Sequence, residues 1–180
     1  KYTTNKNDGT FLGPSEIIGS PVFHDGRVYC TIGQDPMHGR GRGLLHCIDA
    51  SKTGDITHSG CLWKYDAIER TISSVAVSDG LLYASDLAGH IHCLDDKTGK
   101  PYWVHDTKTE TWSSPLVADG KVYLATKKDL VTLAAGKQDK LLSEVPLGSS
   151  AYATAITANS TLFVCSQSYL WAVQKGAKLA

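Results

Sequence analysis

A chain of 180 residues carries eighteen Lys and Arg against eighteen Asp and Glu, a formal net charge of zero. That balance excludes a nucleic-acid surface, which needs a basic excess, and no apolar run approaches the roughly 18 residues of a membrane-spanning helix. The length suffices for one well-cored domain, and the lack of an initiating Met or of a signal-peptide pattern before a polar start reads as a piece of a longer protein.

Residues 1–17 are polar, with Asn5, Lys6, Asn7, Asp8 and Gly9, and read as a lead-in loop. A short apolar strand then ends at Phe23, Asp25-Gly26 make a tight turn, and a second strand runs through Val28-Tyr29-Cys30. Asp-Gly between apolar runs is a strong hairpin signal because both turn positions require positive φ. A third strand, Leu45-His46-Cys47-Ile48, and a fourth, Leu62-Trp63-Lys64-Tyr65, complete the unit. The plan recurs with Val77, Asp79-Gly80 and Leu82-Tyr83-Ala84; with Val117, Asp119-Gly120 and Val122-Tyr123-Leu124; and with Thr157, Asn159-Ser160 and Leu162-Phe163-Val164. Tyr83, Tyr123 and Phe163 are spaced by 40 and 40, as are Trp63 and Trp103. Tyr29 lies 54 before Tyr83 because the first unit carries two loop insertions, of eight and six residues.

Four short strands per forty residues, joined by turns, make a meander, which is one propeller blade. The predicted fold is therefore all-β: a β-propeller of four-stranded antiparallel blades, with about four blades in 18–175 and a tail at 176–180. The blades fall near 18–66, 71–106, 112–147 and 152–175, the last without an outer strand. A ring of seven or eight blades is expected, of which this chain is a part.

A WD40 blade would show Gly-His early and Trp-Asp late; Gly89-His90 is present, but no Trp-Asp follows. The stretch Cys93-Leu94-Asp95-Asp96-Lys97-Thr98-Gly99-Lys100-Pro101-Tyr102-Trp103 instead resembles the pyrroloquinoline quinone (PQQ)-type repeat: a small residue, any, Asp, two of any, Thr-Gly, three of any, Trp. The resemblance implies a tryptophan docking motif, with Asp95 capping the turn, Thr98 beside it, Gly99 in the left-handed conformation and Trp103 between neighbouring blades. The first blade matches in part through Asp49, Thr53, Gly54 and a late Trp63, while the third has neither the Asp nor the Thr-Gly.

The superfamily so resembled holds two kinds of protein, and both readings stay open. One is non-catalytic propellers, similar to the Bam-complex lipoproteins of outer-membrane assembly. Under that reading the chain is a protein-interaction or scaffold module of the bacterial envelope, periplasmic or otherwise extracytoplasmic, with protein partners and no cofactor. The other is the PQQ- and calcium-dependent alcohol or sugar dehydrogenases, of which this would be the C-terminal half. The alcohol-oxidising enzymes place adjacent cysteines over the quinone. Cys30, Cys47, Cys61, Cys93 and Cys165 are all separated, and no calcium ligand set or catalytic residue is recognised. A sensor domain of a signalling protein is a third idea. The scaffold reading is adopted.

Two further features carry chemistry. The loop from Gly33 to Gly43 holds Gln34, Asp35, His38, Arg40 and Arg42 among glycines, which would suit an anion or stand as a solvated hairpin extension. His90 and His92 share a strand face, and His46 occupies the position of His92 one blade earlier. With no third ligand apparent, these histidines are read as blade-packing residues, and no metal is assigned. The four tryptophans are likewise read as packing groups, not as a carbohydrate platform.

Overall fold

In the computed structural model, residues 16–34, 37 and 41–176 are described. Of the predicted loop residues, Asp35, His38 and Arg40 lie outside them, as do most of the lead-in and 177–180. The described residues form fifteen strands. Blade one is β1 (Val22–His24), β2 (Arg27–Ile32), β3 (Leu44–Asp49) and β4 (Cys61–Tyr65). Blade two is β5 (Ala76–Ser78), β6 (Leu81–Ser85), β7 (His90–Asp95) and β8 (Pro101–Asp106). Blade three is β9 (Leu116–Ala118), β10 (Lys121–Ala125), β11 (Asp129–Ala134) and β12 (Leu141–Pro146), and blade four is β13 (Ile156–Ala158), β14 (Thr161–Cys165) and β15 (Leu170–Gln174). The sheets are separate, each an antiparallel meander in chain order: three of four strands and a last one of three. This is a partial β-propeller. Among the described residues no helix is long and apolar enough to cross a membrane.

Local chemistry accounts for the meander. At the hairpins opening the blades, both turn residues have positive φ: 46° and 72° at Asp25-Gly26, 53° and 75° at Asp79-Gly80, 49° and 66° at Asp119-Gly120, and 49° and 58° at Asn159-Ser160. That is the backbone of a type I′ turn, whose twist matches the strands it joins. The register between third and fourth strands slips at the same point in three blades, after Cys47, Cys93 and Thr132. The residues opposite are Trp63, Trp103 and Ser143.

The core lies between blades, not inside one. Strand periodicity sends alternate residues of β6 to opposite sides. Leu82 and Ala84 join Tyr29, Leu45 and Cys47 of blade one, while Leu81 and Tyr83 join Val122, Leu124 and Leu133 of blade three. A third cluster links Ala125 and Leu130 with Ala155 and Val164 of blade four. Burying each large side chain is worth about 1.5–3 kcal/mol. The third strands contribute cysteines: Cys47 and Cys93 have no exposed surface, and burial pushes their thiols up to about 11 and about 12. Both, with Cys30, act as small buried hydrophobes; Cys61 and Cys165 lie at the surface, and all five are free thiols.

Polar ties run between blades as well. Ser20 N donates to Ser74 Oγ at 2.9 Å, Ser74 N to Ser114 Oγ at 2.9 Å and Ser114 N to Thr154 Oγ1 at 3.0 Å. These residues precede the innermost strands, so a repeated hydroxyl catches a backbone donor that the sheets leave unpaired.

The indoles span the same joints. Trp63 Nε1 donates to Asp96 O at 3.2 Å and Trp103 Nε1 to Gly136 O at 2.9 Å, each in the next blade. Gly99 has φ +69°, and a Cβ there would stand 2.5 Å from Trp63 Cε3. Gly54 has φ +74° with nothing within 4 Å of a Cβ. We therefore predict that Gly54→Ala costs about 1–2 kcal/mol, from left-handed strain alone, and that Gly99→Ala costs about 1 kcal/mol more from overpacking. Urea unfolding of the two variants measures the difference, and equal losses would remove the Trp63 contact from the account.

Candidate functional site

The blade-two turn between β6 and β7 carries a carboxylate where blades three and four carry a hydroxyl. Asp86 Oδ1 accepts the backbone N–H of Ala88 and of His90, both at 3.1 Å. Thr126 Oγ1 does the same for Lys128 N at 3.2 Å and Asp129 N at 2.8 Å. Ser166 Oγ does so for Ser168 N at 3.4 Å and Tyr169 N at 3.2 Å. One oxygen is all this turn uses. The second oxygen of Asp86 faces His90 Nδ1 at 3.1 Å, His92 Nε2 at 3.0 Å and the backbone N–H of Glu69 at 3.2 Å.

The surroundings hold the cluster rigid. Asp86 and His92 are buried, at 1% and 2% exposure, while a quarter of the His90 side chain is exposed. Burial alone would raise the Asp86 carboxyl, but the hydrogen bond and charge of His92 and the His90 backbone N–H outweigh it and hold the group below the ordinary carboxylate range. Tyr65 OH lies 3.1 Å from His92 Nδ1, so both nitrogens of that ring are engaged. Burial and the nearby Asp86 charge push the Tyr65 hydroxyl up. Gly89, with φ +93°, closes the turn; a Cβ there would lie 2.0 Å from Thr109 O.

The long loop of blade one ends against this corner. Gly43 N donates to Ile68 O at 2.9 Å and Arg70 N to Gly41 O at 2.7 Å, which lays 41–43 alongside the 66–70 connection. Gly41, Arg42, Asp66, Glu69, Asp86, His90 and His92 share the lining of an open cavity of about 600 Å³. Two features that stood apart in the sequence, the glycine-rich loop and the histidine pair, thus meet in one place. Gln34 is wholly buried, away from any surface role, and Arg42 is exposed on the cavity wall. His46 sits in β3 across from Cys30 and Lys64 and does not join the cluster; burial and the Lys64 charge lower its basicity.

Among the described residues, Asp86, His90 and His92 are the group whose ligand atoms converge, all within 4.8 Å of one another. Sequence reasoning found the two histidines and missed the carboxylate. The available signal was a carboxylate at a turn position that is Thr126 and Ser166 in later blades. Two imidazole nitrogens and one carboxylate are a poor match for Ca²⁺, which takes six to eight oxygens. The cluster therefore does not fit the calcium of a quinone site, and no quinone chemistry is derived from it.

The repeat-motif residues lie elsewhere, on the opposite ends of the strands. Asp95 Oδ1 accepts Thr98 Oγ1–H at 2.8 Å and Thr98 N–H at 2.9 Å, and Asp95 Oδ2 accepts Tyr102 OH at 3.0 Å. In blade one Asp49 Oδ1 takes Ser51 Oγ–H at 2.6 Å and Ser51 N–H at 2.9 Å, and Thr53 stands exposed. Blade three has Ser143 at the indole position, and there a groove of about 910 Å³ opens toward blade four, lined by Tyr123, Leu142, Ser143, Leu162 and Val173.

A family model described as outer membrane protein assembly factor BamB matches residues 41–170. None of the curated proteins matches. Among solved structures, BamB from Moraxella catarrhalis is similar at 14% identity and a TM-score of 0.63, over 83% of this chain and 40% of that one. Quinohemoprotein alcohol dehydrogenase from Comamonas testosteroni is similar at 16% identity and a TM-score of 0.62, over 85% of this chain and 29% of that one. The computationally designed Ika4 protein, at 14% identity and a TM-score of 0.63, is covered over 97% of its length by 90% of this chain. The chain thus spans well under half the length of the two natural proteins, and likeness at these identities speaks for the fold alone. With the match covering most of the sequence, the chain belongs to the PQQ-like repeat propeller family described as outer membrane protein assembly factor BamB.

Proposed function

We propose that this chain is part of a non-catalytic propeller of seven or eight blades that serves as a protein-interaction scaffold in an extracytoplasmic compartment of the bacterial envelope. The observation that carries this reading is how the repeat residues are used. Trp63 and Trp103 bond to the next blade, Gly99 makes room for an indole, and Asp95 holds its own turn. The repeat thus supplies a stiff frame, and what varies between blades is the outer strand and the loops. The outer strand β12 is exposed at every residue, with Leu141, Leu142 and Val145 between 44% and 49%, a surface of the kind a partner covers. The family description, an assembly factor, supports the same reading.

The alternative, a quinoprotein dehydrogenase, is separated by one titration. The full-length protein is incubated with PQQ and Ca²⁺ and followed by quinone absorbance and dye-linked alcohol oxidation. The scaffold reading expects neither stoichiometric binding nor turnover in a sample whose β circular dichroism shows it folded. Stoichiometric quinone with turnover would overturn it.

A further inference from the structure

We propose that Asp86, His90 and His92 form a binding site for one divalent transition-metal ion at the cavity between the blade-one loop and the blade-two turn. The ligand atoms are Asp86 Oδ2, His90 Nδ1 and His92 Nε2. The carboxylate oxygen stands 3.1 Å and 3.0 Å from the two nitrogens. Two bonds of about 2.1 Å meeting at a right angle put their ligand atoms about 3.0 Å apart, so an ion fits between the carboxylate and each imidazole with a small turn of the His90 ring, a quarter of which is exposed. Imidazole with carboxylate suits Zn²⁺, Co²⁺, Ni²⁺ or Fe²⁺ rather than Mg²⁺ or Ca²⁺.

Three independent features support the assignment. The outer partners that fix metal ligands are in place: Tyr65 OH on the far nitrogen of His92, and two backbone N–H groups on the far oxygen of Asp86. The cavity lining adds Asp66, Glu69 and Arg42, with the Arg70 guanidinium against Gly41, and its open side leaves room for water at the remaining positions. Finally, the turn does not require the set. Register places Thr126, Asp129 and Val131 at the corresponding positions of blade three, and Ser166, Tyr169 and Trp171 in blade four, where a turn one residue shorter is closed by a hydroxyl alone. The second oxygen and the His90 imidazole are peculiar to blade two among the described residues, whereas the His92 position is also an imidazole, His46, in blade one.

The test uses the full chain, stripped with chelator and titrated with Co²⁺ and Zn²⁺. One equivalent of Co²⁺ is expected to give a visible ligand-field band, displaced by one equivalent of Zn²⁺. His90→Ala, at the least buried ligand, is expected to weaken binding at least tenfold while leaving the circular dichroism unchanged. Asp86→Thr keeps the turn oxygen and is expected to abolish the band. His46→Ala, an imidazole outside the cluster, is expected to bind as the parent does. Absence of a band in the parent, or equal affinity in the parent and His90→Ala, would overturn the site, as would several weak equivalents unaffected by any of the variants.

Discussion

Trp103→Ala is expected to lower the free energy of unfolding by about 3–5 kcal/mol, the range for emptying a buried indole site. The ring is 8% exposed, sits 6.0 Å from that of Tyr83 and belongs to the cluster joining blades two and three. Its Nε1–H bonds to Gly136 O at 2.9 Å, and Tyr83 OH accepts the Gly136 N–H, also at 2.9 Å. Truncation therefore removes packing and a carbonyl partner together, at a joint where the Tyr83 hydroxyl is itself pushed up to about 12 by burial. Trp103→Phe retains most of the apolar contact and loses only the hydrogen bond, for a smaller cost of about 1–2 kcal/mol beyond the volume change. Trp63→Ala is expected to fall below Trp103→Ala, because Trp63 is only half-buried and its bond is longer, at 3.2 Å. Denaturant unfolding followed by circular dichroism gives the ranking. A loss below 1 kcal/mol for Trp103→Ala would mean that the indole is not what joins these blades.

The second large effect is expected at Asp86, where Asp86→Ala strips the acceptor from five donors at once: Ala88 N, His90 N, Glu69 N and the two imidazoles. Buried donors left without acceptors cost about 1–3 kcal/mol each, and relaxation toward the open cavity limits the sum to about 3–5 kcal/mol. Asp86→Thr is the informative companion. It supplies the hydroxyl that holds the turn, one residue shorter, of blades three and four and is expected to recover about half of the loss, the two imidazoles and Glu69 N remaining unserved. Thermal unfolding of the pair decides. Were Asp86→Thr as damaging as Asp86→Ala, the division of labour between the two carboxylate oxygens would be wrong.

The propeller was legible because its signals are local and repeated. Asp25-Gly26, Asp79-Gly80 and Asp119-Gly120 demand positive φ whatever surrounds them, and the spacing of Tyr83, Tyr123 and Phe163 carries the period. The outer strand of blade three was harder to mark, since β12 has Ser143 where its neighbours have Trp. The cluster at Asp86 was legible only in part. His90 and His92 share a face by strand alternation, which the sequence contains. The direction of the second Asp86 oxygen follows from where the 66–70 connection and the blade-one loop come to rest, and those contacts join residues far apart in the chain. Tyr65 reaches His92 for the same reason: alternation places each on a face, and only blade packing brings the faces together.

Ser143 has a consequence for how the array comes apart. Stability in a repeat architecture is close to a sum over neighbouring joints. Blades one and two are pinned by Trp63, and two and three by Trp103, but between three and four an open groove replaces the indole and the shared cluster is smaller. Among the three joints of the described residues, that between blades three and four is therefore the one expected to yield at the lowest free energy, with Ser143 the residue that sets it apart. A propeller built this way keeps its rigidity on one side of the joint and its capacity to yield on the other.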